Sequence, residues 1–162
     1  MRRLLDTAVQ LATLGLTCSL AIGQTTADRP RAVAGAVRTL KILAADDMRF
    51  SVTSIAARRG ERLRVVLVAT GRMPAAIMAH NWILLRADTD PVAFVNAGML
   101  AKATNFIAPD QMDRVIAATS LVSAGESAEV TFTAPTTRGE YPFVCSFRGH
   151  SLAGMSGTLV VK

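Results

Sequence analysis

The stretch Tyr141-Pro-Phe-Val-Cys145-Ser-Phe-Arg-Gly-His150-Ser-Leu-Ala-Gly-Met155 brings a thiol, an imidazole and a thioether close together in one chain segment. An apolar strand is predicted to end at Cys145. Gly149 and Gly154 lie in the segment that follows, and glycine permits the positive backbone angles that a tight reversal needs. The segment can therefore fold its three donor groups around one point. His80, far upstream, offers a fourth donor from a separate strand.

These four side chains predict a copper site. Two imidazoles and a thiolate with a weak axial thioether are the ligand set of an electron-transfer copper centre. Zinc also accepts cysteine and histidine, but its structural sites use four strong ligands and methionine is a poor fourth. The chain has only two histidines, and both belong to this set. We therefore predict one copper ion bound by His80, Cys145, His150 and Met155.

Each of these residues also has an ordinary structural interpretation. A cysteine at a strand end is often a small buried hydrophobe, and a single methionine is often a filler of the core. A lone histidine is usually a core or surface residue. The metal site is favoured because both histidines of the chain occur in one set with Cys145, which is the only cysteine outside the predicted export signal described next.

Residues 1–23 predict an export signal that is cleaved near Gln24. Arg2 and Arg3 form its positive start, and an apolar run from Leu11 to Ile22 is too short to span a bilayer. We therefore expect a periplasmic protein without stable membrane insertion after cleavage. Cleavage would remove Cys18 and leave a single cysteine, which cannot form an internal disulfide and is free for a metal.

The rest of the chain predicts a single all-β domain. Residues 24–37 lack a periodic pattern and are expected to be a flexible lead-in, followed by one domain over residues 38–162. Short alternating segments separated by Gly, Pro and Asp indicate a Greek-key β-sandwich. Asp90 as N-cap and Pro91 at the first helical position predict a short helical flap that extends to Ala103. The predicted strands are Thr39–Leu43, Phe50–Ile55, Glu61–Val68, Asn81–Leu85, Ala128–Thr133, Tyr141–Cys145 and Gly157–Val161.

The chain is basic, with a formal net charge of +6 at pH 7. Such a charge favours nucleic acid, an anionic membrane surface or an acidic protein as partner. The densest basic stretch, Arg58 to Arg64, alternates like the solvent face of a strand, and a solvated face is its simplest interpretation. Export makes nucleic acid an unsuitable partner, so none is predicted.

From about Lys41 to Lys162 the chain resembles the cupredoxins, and among them the azurin and auracyanin group. The resemblance rests on segments that occur in the same order: 78–82 around the first histidine, 109–117, 121–126, the ligand loop 143–150 and the last strand 157–162. It implies that His80, Cys145 and His150 are equatorial ligands and that Met155 is axial. Four residues separate His150 from Met155, as in auracyanin and plastocyanin, whereas azurin has three.

The resemblance implies a blue copper electron carrier of the periplasm that shuttles single electrons at a type 1 site. Its expected partners are redox proteins, for example cytochromes or a copper or haem reductase or oxidase, with an acidic docking surface that Arg148 would attract. The family presents its C-terminal histidine inside an apolar patch. Candidates for that patch here are Met73, Pro74, Met78, Phe147 and Leu152.

Two other functions are compared with electron transfer. A copper nitrite reductase or multicopper oxidase needs a further copper with additional histidines, which this chain does not have, so we expect no enzyme. Copper storage or delivery is the alternative. It favours clusters of exchangeable methionine and histidine, whereas most of the seven methionines are scattered along the chain.

Overall fold

The computed structural model describes residues 35–162, so the predicted export signal and most of the predicted lead-in lie outside the described residues. Apolar side chains alternate along most strands, and this alternation produces two sheets whose inner faces pack together. In chain order the elements are β1 (Arg38–Ala45), β2 (Arg49–Phe50), β3 (Ser54–Ala57), β4 (Arg62–Ala69), β5 (Ile83–Leu85), α1 (Pro91–Gly98), β6 (Val115–Ala118), β7 (Ser127–Thr133), β8 (Gly139–Val144) and β9 (Ser156–Val161).

The first sheet has the order β2-β1-β4-β7, and the second has the order β3-β9-β8-β5-β6. β1 pairs with β4 and β3 pairs with β9 in parallel, whereas the other pairs are antiparallel. Aromatic side chains join the two sheets. The Trp82 ring lies 5.8 Å from Phe132 of the first sheet and 5.4 Å from Phe143 of the second, measured between ring centroids. The predicted all-β sandwich with a short helix is confirmed.

The short helix α1 covers the outer face of the second sheet. Phe94 and Val95 of the helix pack in one cluster with Ile83, Leu85 and Val144 of the sheet. This cover explains why β5 is buried on both of its faces. The predicted N-cap is confirmed, because Asp90 accepts hydrogen bonds from the backbone N–H groups of residues 92 and 93.

The predicted C-terminal end of the helix is wrong. The helix ends at Gly98 instead of Ala103. A Cβ atom at Gly98 would lie 2.1 Å from the carbonyl oxygen of Phe106, so the chain that returns over the helix end requires glycine there. Ala101 then precedes a separate 3-10 turn over Lys102–Thr104.

The prediction of one strand over Phe50–Ile55 is also wrong. Phe50 belongs to β2 in the first sheet and Ile55 belongs to β3 in the second, so the chain changes sheets between them. Phe50 and Ile55 are both buried, but they point into the core from opposite sheets. Strand β6, which pairs with β5, was not predicted, because only one of its four residues is fully buried.

The strand directions place all predicted metal ligands at one end of the sandwich. β8 ends immediately before Cys145, β9 begins immediately after Met155, and His80 precedes β5. We call this the metal end. In residues 35–162, no helix is long and apolar enough to cross a membrane.

Candidate metal centre

Three of the predicted ligands meet at the metal end. One donor atom each from His80, Cys145 and His150 lies within 4.8 Å of the others. The Cys145 Sγ atom is 3.6 Å from His150 Nδ1, and the two imidazole rings are 5.0 Å apart between centroids. All three residues are buried, with at most 2% of their surface exposed. The arrangement is a closed cluster of two nitrogens and one sulfur.

Backbone hydrogen bonds close the ligand loop between Cys145 and Met155. The Cys145 N–H donates to the Met155 carbonyl over 3.1 Å, and the Met155 N–H donates to the His150 carbonyl over 2.9 Å. Gly149 and Gly154 have φ of 82° and 103°, which confirms that glycine provides the left-handed positions of this reversal. The loop therefore returns its last residue to the start of the turn.

Met155 is fully buried and belongs to the same apolar cluster as Cys145. Its backbone forms hydrogen bonds to the backbones of both Cys145 and His150, so the residue lies next to two of the three donor residues. Its role as the axial ligand stays a prediction.

His80 is held by a bridge between two segments of the chain. Its N–H donates to the Val122 carbonyl and the Val122 N–H donates to the His80 carbonyl, both over 2.8 Å. The histidine therefore enters the site from a rigid segment that is distant in sequence from the ligand loop.

Asn81 links the two segments that carry the ligands. Its Oδ1 accepts a hydrogen bond from the Ser146 N–H over 2.9 Å, and its Nδ2 donates to Ser146 Oγ and to the Asn105 carbonyl. We call this group, Asn81 with Ser146 and Asn105, the amide latch. The Asn81 side chain thus ties the His80 segment to the start of the ligand loop.

Sequence reasoning missed the other two members of the amide latch. Asn105 has a φ of 56° and Phe106 a φ of 59°, both in the left-handed region that non-glycine residues rarely adopt. This turn aims the Asn105 carbonyl at Asn81 and Ser146. The identity of residue 105 could have predicted this turn, since Asn is one of the few residues that tolerate the left-handed conformation.

Burial keeps both imidazoles neutral. It lowers the pKa of His80, an effect that the negative charges of Asp46 and Asp47 partly oppose. Burial, together with the neighbouring His80, lowers the pKa of His150 to about 4. A neutral imidazole is the form that binds a metal, so both rings are ready to act as ligands at neutral pH.

Burial has the opposite effect on the Cys145 thiol, because it favours the protonated form, which does not bind a metal. Burial raises the pKa of Cys145 to about 11, although backbone N–H groups of Asn81 and Phe147 act in the other direction. A metal cation would stabilise the thiolate at this position.

The residues fit a soft metal ion. His80 Nδ1 is buried and has no hydrogen-bond partner within the described part of the chain. A buried nitrogen without a partner is costly, and a metal bond would satisfy it. Thiolate and imidazole donors select copper over hard cations such as Mg²⁺ or Ca²⁺.

The surface around the metal end is partly apolar. Of the predicted patch residues, Met73, Pro74 and Leu152 are exposed and Phe147 is half-buried. Met78 is only 8% exposed, so its assignment to the patch is wrong; its N–H donates to the Pro74 carbonyl and the turn buries it. Ile77, which was not predicted, is 60% exposed instead.

An aromatic pair supports the outer side of His150. The Phe147 ring lies 4.8 Å from the His150 ring and 5.3 Å from the Phe106 ring, between centroids. The Arg148 guanidinium lies over Phe106 at 5.5 Å. The half-buried Phe147 thus lies against the buried imidazole and also reaches the surface.

Known proteins are similar to this chain in sequence and in fold. Residues 37–162 match the family model for copper binding proteins of the plastocyanin/azurin family. Auracyanin-B of Chloroflexus aurantiacus is 35% identical over 126 residues, which are 76% of this chain and 52% of that protein. An azurin of Pseudomonas denitrificans is 38% identical over 120 residues, 72% of this chain and 92% of that protein. The chain thus matches about half the length of auracyanin-B and most of the azurin.

Solved structures agree with these relatives. An auracyanin B structure has a TM-score of 0.66 at 32% identity and covers 77% of this chain and 88% of its own. Auracyanin A, described as a "blue" copper protein from Chloroflexus aurantiacus, has a TM-score of 0.66 at 30% identity, with 78% and 100% covered. The family model, the relatives and the buried cluster of His80, Cys145 and His150 agree: the chain belongs to the cupredoxins, the copper-binding plastocyanin/azurin family.

Proposed function

We propose that this protein is a blue copper electron carrier of the periplasm. The observation that carries the proposal is that its only two histidines and Cys145 converge at one buried point. His80, Cys145 and His150 would be the close ligands of one type 1 copper ion, and Met155 the weak axial ligand. Copper, when bound, supplies one-electron chemistry by cycling between Cu(II) and Cu(I).

The polypeptide's contribution is to hold the donors in one geometry. The amide latch fixes the His80 segment against the start of the ligand loop, and a backbone hydrogen bond joins Cys145 to Met155. A donor set held from outside in this way keeps its shape when the charge of the centre changes, which favours electron transfer. Burial of the donors also keeps water away from the centre.

Electrons would pass through the His150 side of the metal end. Phe147 and Leu152 form an apolar surface there, and small apolar surfaces suit transient contacts with redox proteins. The expected partners are cytochromes or a copper or haem reductase or oxidase. Exposed Arg148 next to His150 favours an acidic docking surface on the partner, and association would then weaken as salt increases.

The same proposal assigns the parts of the chain. Residues 1–23 would be a cleaved export signal, residues 24–37 a flexible lead-in and residues 38–162 the cupredoxin domain. The protein would not be an enzyme, since both histidines are used by one site and a second copper would lack imidazole ligands.

N-terminal sequencing of the exported protein should find a new terminus near Gln24. An intact Met1 in the periplasmic fraction would contradict the cleaved signal.

Copper storage or delivery is less well supported. Exchange of a metal with a partner requires accessible ligands, yet His80, Cys145 and His150 are nearly inaccessible to solvent. A carrier that transfers electrons but retains its metal fits this burial better.

Visible and EPR spectra of the copper-loaded protein test the proposal. We expect an intense blue or green absorption and a narrow copper hyperfine splitting, both of which come from a copper–thiolate bond. Cys145→Ala should remove them, whereas Met112→Leu, which alters an exposed methionine, should leave them unchanged. Colourless protein with ordinary type 2 spectra, or unchanged colour in Cys145→Ala, would contradict the proposal.

A further inference from the structure

The end of the sandwich opposite the metal end is rich in basic residues. β1 and β4 begin there, β3 and β9 end there, and β8 begins there. The connections between these strands carry most of the charge. We call this region the basic end, and its basic side chains are Arg38, Arg58, Arg59, Arg62, Arg138 and Lys162.

Hydrogen bonds join both sheets at the basic end into one surface. The Lys162 N–H donates to the Ala57 carbonyl over 2.9 Å, and Arg38 Nη2 donates to the Ala56 carbonyl over 2.7 Å. The Gly60 N–H donates to the Ala134 carbonyl over 3.2 Å. Two shallow depressions on this surface share Arg58 and Lys162 in their walls. The basic side chains therefore lie on one continuous face.

This face carries the whole excess of positive side chains in the described residues. Between residues 35 and 162 the chain has 14 basic and 10 acidic side chains. Beside the basic end, where β5 ends and β6 begins, Arg86 and Arg114 are paired with Asp88 and Asp113. Apart from these pairs, the basic end has six of the basic side chains and only two acidic ones, Glu61 and Glu140. The remaining side chains of the described residues balance in charge. The charge of the molecule is thus segregated toward the end that does not hold the metal ligands.

Most of these basic side chains are available for an external partner. Arg38 forms an ion pair with Glu61. Among residues 35–162, the other basic side chains of this end form no salt bridge, and all of them are exposed. They are Arg58, Arg59, Arg62, Arg138 and Lys162.

We propose that the basic end docks on an anionic phospholipid membrane surface. A membrane presents many negative headgroups on a broad surface, and several exposed basic side chains on one face complement it without requiring a shaped pocket.

An acidic redox partner fits this face less well. β4 runs from the basic end to the metal end over 8 residues, which corresponds to roughly 25 Å of strand. A protein bound at the basic end would therefore be far from His150. Docking on a membrane has the opposite consequence, since it leaves the metal end facing away from the lipid. This orienting role rests on the proposed electron-carrier function, whereas the docking itself does not.

Vesicle sedimentation with the exported, copper-loaded protein tests this surface. We expect binding to vesicles that contain phosphatidylglycerol, little binding to pure phosphatidylcholine, and release at high salt, where screening shortens the range of the charges. The triple variant Arg58→Gln, Arg59→Gln, Arg138→Gln should bind at least about tenfold more weakly, because each basic residue near an anionic surface contributes up to about fivefold.

A matched control removes the same charge elsewhere. Lys41→Gln, Arg72→Gln, Lys102→Gln replaces three exposed basic residues outside the basic end and should retain most of the binding. Equal loss in both triple variants would overturn the proposal, because net charge alone would then explain binding. Absence of vesicle binding would also overturn it, as would binding of an acidic protein or nucleic acid at this end without vesicle binding. Vesicle binding by protein that lacks the blue spectrum would uphold the docking surface and contradict only the electron-carrier function.

Discussion

The two ends of the sandwich use polar residues in opposite ways. At the metal end, His80, Asn81 and His150 are at most 2% exposed and are held by neighbouring side chains and backbone groups. At the basic end, side chains such as Arg58 and Arg59 are exposed and have no ion-pair partner within residues 35–162. A metal site needs donors at fixed positions away from water, whereas an electrostatic surface needs charges that solvent and partners can reach.

This difference sets the expected cost of mutations. Removal of one partner from a buried hydrogen-bond network leaves other polar groups unsatisfied, which is expensive. An exposed ion pair contributes little, because water and salt screen its charges. Substitutions should therefore have large effects in the amide latch and small effects at the basic end.

The largest effect on stability is expected for Asn81→Ala. The substitution removes the acceptor of the Ser146 N–H and the donor to the Asn105 carbonyl, both in buried or half-buried positions. We expect a loss of about 2–3 kcal/mol in the free energy of unfolding. Denaturant unfolding of the metal-free protein measures this loss, and the copper EPR spectrum should also change because the two ligand segments come apart.

The control for this prediction is Asn96→Ala, which removes the same side chain from an exposed position on α1. Its effect should lie within about 0.5 kcal/mol of zero. Equal stability of the Asn81 and Asn96 variants would show that the amide latch does not hold the metal end together.

Met155→Leu should raise the reduction potential and change the free energy of unfolding only slightly. Leucine has a similar volume, so the fully buried position should lose less than about 1.5 kcal/mol. If the Met155 thioether is axial, its removal takes away a donor that favours Cu(II), and the potential should rise. We expect a rise of at least about 59 mV, a tenfold change in the one-electron equilibrium.

Redox titration followed by visible absorption measures this shift. Met78→Leu is the matched control, because Met78 is also buried and lies close to His80 in sequence. An unchanged potential in Met155→Leu would show that Met155 is not a ligand, and an equal rise in both variants would assign the effect to general packing.

The metal end was largely predictable from the sequence because its donor side chains belong to residue types that are rare in this chain. The two histidines, Cys145 and the glycines of the ligand loop leave few alternatives for the site. Asn81 was also predictable, since it lies next to His80. Asn105 was not, because its contribution is a backbone carbonyl set by a left-handed turn 24 residues further along the chain. Such a contact depends on the tertiary path of the chain and has no local pattern.

The strands were predictable from alternation, but the sheet to which each belongs was not. Phe50 and Ile55 lie in a segment that looks like one strand, yet Leu43 donates its N–H to the Ser51 side chain and the chain then crosses to the other sheet. Similarly, the concentration of charge at the basic end joins Arg58 with Arg138, which are 80 residues apart in sequence. Alternation indicates which side of a strand is buried, and only the assembled topology shows which loops share an end.

A smaller effect is expected for Arg49→Gln at the metal end. The exposed Arg49 guanidinium donates to the Ala153 carbonyl, inside the segment that separates His150 from Met155. Loss of this bond should loosen the loop by about 1 kcal/mol, which corresponds to about a fivefold faster loss of copper to a chelator. Arg64→Gln, which removes a half-buried arginine paired with Glu129 in the middle of the first sheet, should not change the rate. Equal rates in wild type and Arg49→Gln would contradict a role for Arg49 in holding the loop.

The smallest effect is expected for Glu61→Gln at the basic end. The hydrogen bond from Arg38 lowers the pKa of Glu61, and the Arg58 N–H contributes in the same direction although burial opposes both. Because the folded pKa lies below the unfolded value of about 4.3, the carboxylate stabilises the protein above that value and loses this contribution as pH falls through the folded pKa. We expect no more than about 1 kcal/mol at pH 7, since the side chains of Glu61 and Arg38 are 20% and 41% exposed, and no difference in strong acid. Glu129→Gln, in a more exposed pair, should cost less, and a Glu61→Gln effect of the same size at every pH would show that packing and not charge is responsible.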